Sequence, residues 1–214
     1  MIVDIHAWHL VQYQAWGTYF MQSTAPLPLV ADIFKYCAQL DDQQVNVTFL
    51  AGKWLISPNH AYLASYFAAK AMQAAQNIAK DLGMETLLYL SGQNQIYNAK
   101  RLFGITEGQK SEAKTWVLVI LAQSEKSCFE CKQSLENFLG SSLETGQNWV
   151  ALSPMEDIAS VLGLTSIYLN VMAEVESEIP QLPVPPSSTQ EMGIMQALLE
   201  RMVALSLSQF KLES

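Results

Sequence analysis

Cys128-Phe129-Glu130-Cys131 is the most conspicuous spacing of reactive side chains in the chain. A thiol–disulfide pair needs a thiolate with a lowered pKa, as a helix N-terminus supplies, and residues 124–140 read as a helix that starts just before it. Half of a zinc site needs two more ligands, and the sequence offers no second CxxC and no HxxxH. On a helix, positions three apart share a face, where cysteine packs as a small hydrophobe. A lone CxxC reads first as packing, and a thiol or metal protein built on Cys128 and Cys131 stands as a rival. With Cys37 there are three cysteines, an odd count that argues against a disulfide framework. Among the three histidines, His6 and His9 are an odd interval apart and would leave a strand on opposite faces. His60 opens a helix, where it packs or meets a ligand. No GxSxG or HExxH occurs, and Asp41-Asp42 and Glu156-Asp157 sit where a turn and a first helical turn ordinarily place acids. These residues predict no catalytic group, no cofactor and no resident metal.

The segment Ser91-Gly92-Gln93-Asn94-Gln95-Ile96 is the other place where chemistry is conceivable. A small polar turn ahead of a helix carries backbone N–H groups and amide side chains that can meet phosphate or a base edge. It has too little glycine for a phosphate loop and lacks the Lys-Ser/Thr pair of a P-loop. The alternative is a plain joint, with Ser91 as a cap and Gly92 at positive φ. A methionine- and alanine-rich helical surface (Met72, Met192, Met195, Met202) suits a partner helix or ordinary core.

The elements that must position these residues follow from periodicity. Residues 1–15 begin a strand, 26–40 form a helix, and the β-branched, alternating 45–51 a strand. Residues 57–83 read as one long alanine-rich helix closed by Gly83, and 85–91 as a buried strand. A short helix over 94–104 follows, then a strand over 115–123 apolar enough to be central. Residues 124–140 and 155–162 are helical, and 164–174 a strand or short helix. The segment 176–190 has four prolines and reads as a linker or surface loop, and 191–210 as a final helix. Strands alternating with helices give α/β or α+β architecture in a single domain over 1–214. Their order leaves strand direction open.

Half the residues are apolar and 15% are charged, which places the chain among packed globular proteins. No apolar run approaches the ~20 residues needed to span a bilayer. The N-terminus carries an acid and two histidines instead of a basic segment and an apolar run. The expectation is a cytoplasmic protein without a membrane partner. The net charge of −8 argues against bulk nucleic-acid binding, but its distribution is uneven. Residues 125–214 hold 12 acids and 4 bases, whereas 51–101 hold five bases and two acids.

The order of residues adds a resemblance. VNVTFLAGK, HAYLASYFAAKAMQA and LGMETLLYLSGQNQIYNAKRLFGI resemble the small kinase-binding subunit of the KEOPS complex over about residues 45–122. The residues that carry it are Ala51, Gly52, Lys53, His60, Glu85, Ser91, Gly92, Gln95, Ile96, Ala99, Gly104 and Ile105, and LLERMVALSL (198–207) is similar to the family's last helix. The resemblance implies a small, mainly antiparallel sheet packed with helices and no active site. It implies binding to the KEOPS atypical protein kinase and support of N6-threonylcarbamoyladenosine formation in tRNA, including contact with the 3′ CCA end, and no small-molecule substrate. Candidate RNA-binding residues are Lys53, His60, Lys70, Asn94, Gln95, Lys100 and Arg101. Candidate kinase contacts are Tyr66, Met195, Leu199 and Met202. Asn94 stands where the family often has arginine, so a kinase adaptor that does not bind RNA is the alternative.

Overall fold

The computed structural model describes residues 2–4, 9–23, 28–41, 44–105, 114–164 and 189–210. They cluster into two compact units. One comprises Met1–Gly52 with Phe103–Trp149, the other Lys53–Leu102 with Val150–Ser214.

The first unit is built on an antiparallel sheet of β1 (Ile2–Asp4), β2 (Ala15–Ser23), β3 (Val45–Ala51), β4 (Lys114–Ala122) and β5 (Glu144–Thr145). Its order is β1-β2-β4-β3, with β5 paired to β2. Strand β4 is central, as its unbroken apolar sequence predicts; it runs Ala15↔Ala122 to Ser23↔Lys114 against β2 and Val45↔Ala122 to Ala51↔Trp116 against β3. Alternate residues Tyr19, Met21, Val47, Phe49, Leu118 and Ile120 face one core, shared with Ile33 and Leu40 of α1 (Val30–Asp41) and Cys128, Cys131 and Leu135 of α5 (Glu125–Leu139). The interleaved residues Trp16, Leu50, Val117, Val119 and Leu121 are buried too. A sheet buried on both faces loses the polar half of its alternation. That explains why β2 escaped the sequence reading beyond residue 15: Trp16, Tyr19, Phe20 and Met21 give no period of two. Gly17 also breaks its pattern, and a Cβ there would lie 2.8 Å from Cys128 Sγ, so the glycine lets α5 sit close on β2.

Helix α5 is bounded as predicted. Ser124 Oγ accepts from the Ser127 N–H and Gly140 closes the other end at φ 62°. Tyr36 of α1 stacks on Phe138 of α5 at 4.2 Å, and its hydroxyl pairs with Ser134 at 2.5 Å.

The second unit is helical: α2 (Pro58–Gln73), α3 (Leu82–Ser91), α4 (Ile96–Phe103, as far as Leu102), α6 (Met155–Val161) and α7 (Thr189–Phe210). Helices α3 and α7 pack on α2, whose first eight residues, Pro58 to Ser65, are all buried. Two expectations are corrected here. The long helix stops at Gln73, and the chain turns through Ala75 at φ 56°. Gly83 therefore lies in the first turn of α3 and closes nothing. Residues 85–91, read as a strand, belong to that helix: the Asp81 side chain accepts from the Met84 N–H at 2.8 Å, and Gly92 at φ 59° ends it. A short leucine-rich run cannot be assigned by periodicity alone, and leucine favours helix where valine and isoleucine are absent. The fold remains mixed α/β with an antiparallel sheet, as expected. The readings at 164–174, apart from Leu164, and at 176–188 lie outside the described residues.

Candidate functional site

The turn after α3 determines what Ser91–Ile96 can offer. The Gly92 N–H donates to the Tyr89 carbonyl, and the Gln93 N–H reaches back to Leu88 at 3.2 Å, the double closure of a Schellman motif. Ser91 caps nothing ahead of α4; it is buried and its hydroxyl donates to Leu88 at 3.0 Å. The backbone donors of Gly92 and Gln93 are thus engaged by α3, and a phosphate cradle is not formed from them. Arg201 of α7 covers the turn, since a Cβ on Gly92 would meet its Cδ at 3.2 Å. The same guanidinium donates to the Leu162 carbonyl and, at 3.1 Å, to Gly163, the C-terminal end of α6.

Beyond the turn the chain becomes exposed. Asn94 and Gln95 are open to solvent, and Gln95 Oε1 accepts from Asn98 Nδ2 at 3.1 Å. In α4, Ala99 and Phe103 are buried at 0% while Lys100 and Arg101 are exposed. Lys53 is also exposed, its Nζ 4.5 Å from the Trp54 ring. Lys70 is half-buried, 5.9 Å from Tyr66 one turn earlier on α2. Tyr66 is half-buried and meets Phe67 edge-on, and Phe67 in turn stacks on Tyr89. Six of the seven RNA candidates therefore expose side chains in the helical unit.

His60 is the exception. It is fully buried, its Nε2 donates to the Leu90 carbonyl at 2.9 Å, and burial pulls its pKa down to about 4 despite that bond. A neutral ring joining α2 to α3 has no atom to offer a nucleic acid. Three of the four kinase candidates are also core residues: Met195, Leu199 and Met202 are 2%, 8% and 0% exposed. They lie on the packed side of α7; among the described residues its exposed large apolar side chains are Met192 and Val203. Of the methionine stripe, Met195 and Met202 are core, Met72 is half-buried and Met192 is exposed; i, i+3/i+4 spacing marks the packed face as readily as a contact face.

Two residues that sequence reasoning passed over complete this surface. Tyr97 is 77% exposed and Ile96 41%. Placing Tyr97 on a helix that starts at Ile96, with Ala99 and Phe103 inward, would have turned it outward, and that helical register is the signal; the same register puts Ile96 beside Phe103, at the edge of the packed face. Arg201 had no such signal, because its partners are backbone carbonyls distant in sequence.

The thiol rival finds no support in the geometry. Cys128 and Cys131 line the buried side of α5, and burial pushes their thiols up to about 11 and 12, opposite to what a reactive thiolate needs. Among the described residues no helix is long and apolar enough to cross a membrane.

Taken together, Lys53, Asn94, Gln95, Tyr97, Lys100 and Arg101 are the exposed polar and aromatic side chains of the helical unit that the sequence and the structure single out. The chain matches the family model of the kinase binding protein CGI-121 over residues 30–203, and it belongs to that family of kinase-binding proteins. A search among curated proteins returned no match.

Proposed function

We propose that this protein is a non-catalytic, cytoplasmic accessory subunit of the KEOPS complex. It binds the complex's atypical protein kinase and supports N6-threonylcarbamoyladenosine formation by holding tRNA, including the 3′ CCA end. The observation that carries the reading is the family match, which runs through the candidate surfaces of α2, α4 and α7. The RNA half is supported by exposed Lys53, Gln95, Lys100 and Arg101 on the less acidic stretch of the chain.

Co-purification from the native organism, with the full chain as bait, should recover a small protein kinase; its repeated absence would overturn the reading. Binding of intact tRNA should weaken steeply with salt, because phosphate neutralisation releases counterions. It should also exceed binding of tRNA lacking CCA. A second reading, a kinase adaptor without RNA binding, is favoured by neutral Asn94, which hydrogen-bonds but supplies no charge. Undetectable tRNA binding by a chain that still holds the kinase would establish it.

A further inference from the structure

Helix α4 has an outer face unlike the rest of the helical unit. Tyr97, Lys100 and Arg101 are all exposed, whereas Ala99 and Phe103, on another side of the helix, are buried at 0%. At 100° per residue these three positions fall within a sector of about 100°, with Tyr97 between Lys100 and Arg101 one turn on. Neither cation has a carboxylate partner among the described residues. Several other cations of the chain are engaged: Lys132 with Glu136, Lys126 with Glu130, and Arg201 with backbone carbonyls. Lys53 and Lys70 lie over aromatic rings. Tyr97 itself has no hydrogen bond or ring contact among the described residues.

An uncovered aromatic ring flanked by two free cations, with amides at Asn94 and Gln95, has the composition of a stacking platform. Helix α4 holds no acid, in a chain whose net charge is −8, so local charge complementarity favours a polyanion with unpaired bases. We infer that Tyr97 is a base-stacking residue for single-stranded nucleic acid, with Lys100 and Arg101 taking the flanking phosphates. This deepens the RNA half of the function proposed above and rests on it. Stacking needs an open π-face and is indifferent to base identity, whereas the cations set only a salt-dependent background. Tyr97 accordingly discriminates unpaired from paired strands, because a base inside a duplex has no free face.

The test uses the full chain and a labelled, unpaired RNA of roughly ten A and C nucleotides, alone or annealed to its complement, read by fluorescence anisotropy. The single strand should bind more tightly than the duplex. Tyr97→Ala should weaken single-strand binding by about tenfold or more, and Tyr97→Phe should stay within about twofold of the parent. Lys100→Ala and Arg101→Ala should each lower the slope of log affinity against log salt by about 0.7, and Tyr97→Ala should leave that slope unchanged. Unchanged thermal unfolding of the variants confirms that the fold persists. Equal binding by Tyr97→Ala and parent, or a loss in Tyr97→Phe as large as in Tyr97→Ala, overturns the inference. So does loss of kinase co-purification in Tyr97→Ala with RNA binding intact, which would mark a protein contact. If intact tRNA binds with a steep salt dependence untouched by Tyr97→Ala, the inference falls and tRNA binding stands. If neither tRNA nor the oligonucleotide binds, with or without the kinase, both fall.

Discussion

The most consequential single residues are the polar ones kept inside the helical unit. His60 is neutral because charging a fully buried imidazole costs more than the Leu90 carbonyl returns, and its pKa drops to about 4. The unfolded chain binds a proton there near pH 6.5 and the folded chain does not until about pH 4. Stability therefore falls as pH drops through that window, by about 3 kcal/mol in all. Chemical denaturation at steps from pH 7.5 to 4.5 should show this loss in the parent and a shallower one in His60→Gln. Glu85, also buried at 0%, accepts the Ala79 N–H at 2.7 Å and so fastens the turn between α2 and α3. Glu85→Ala leaves that buried donor without its acceptor and should cost about 2 kcal/mol or more, whereas Glu85→Gln keeps a carbonyl oxygen and should cost less. Urea midpoints of the two variants decide it; equal losses would mean that the hydrogen bond contributes nothing. Both residues were legible as part of a family motif, but a motif does not distinguish a residue that touches a ligand from one that holds the scaffold. Only burial does.

At the scale of elements, the chain was legible where its ends are marked or where β-branched residues run together. Ser124 and Gly140 bound α5 as read, and β3 and β4 stand where β-branched residues run. Where burial is on all sides the pattern disappears, which hid β2 and turned α3 into an apparent strand. The break after Gln73 was illegible for a different reason: alanine favours helix, and what stops it there is tertiary, the Glu85 carboxylate and a positive φ at Ala75. Gly92 and Gly140 test how such an end is shaped. Both sit near φ +60°, so an alanine at either should cost about 1 kcal/mol for conformation alone. A Cβ at Gly140 meets nothing within 4 Å, but at Gly92 it meets Arg201 Cδ at 3.2 Å. Gly92→Ala should therefore be the more destabilising, and the excess should disappear in an Arg201→Ala background. Additive losses in the double-mutant cycle would show that Arg201 does not press on the turn.

For the whole molecule, the kinase-binding proposal can be tested along α7, where packed and exposed positions lie side by side. Met202 is 0% exposed and Val203 39%, neighbours in sequence that point about 100° apart around one helix. The kinase surface proposed for this helix must lie on the exposed side, since Met195, Leu199 and Met202 already fill the helical unit. Met202→Ala removes buried volume and should cost about 2–5 kcal/mol of stability, lowering the unfolding temperature and weakening the kinase complex only through loss of folded chain. Val203→Glu is expected to stay within about 0.5 kcal/mol of the parent in stability, as surface substitutions usually do. It should nonetheless weaken kinase binding, because a charge without a partner is buried when the helix is covered. Titration of the kinase by calorimetry, alongside thermal unfolding of each variant, separates the two effects. Full kinase affinity in Val203→Glu would move the interface off α7. The alanine-rich helix α2 would then be the surface to test, and there only Tyr66, Phe67, Lys70, Met72 and Gln73 reach solvent.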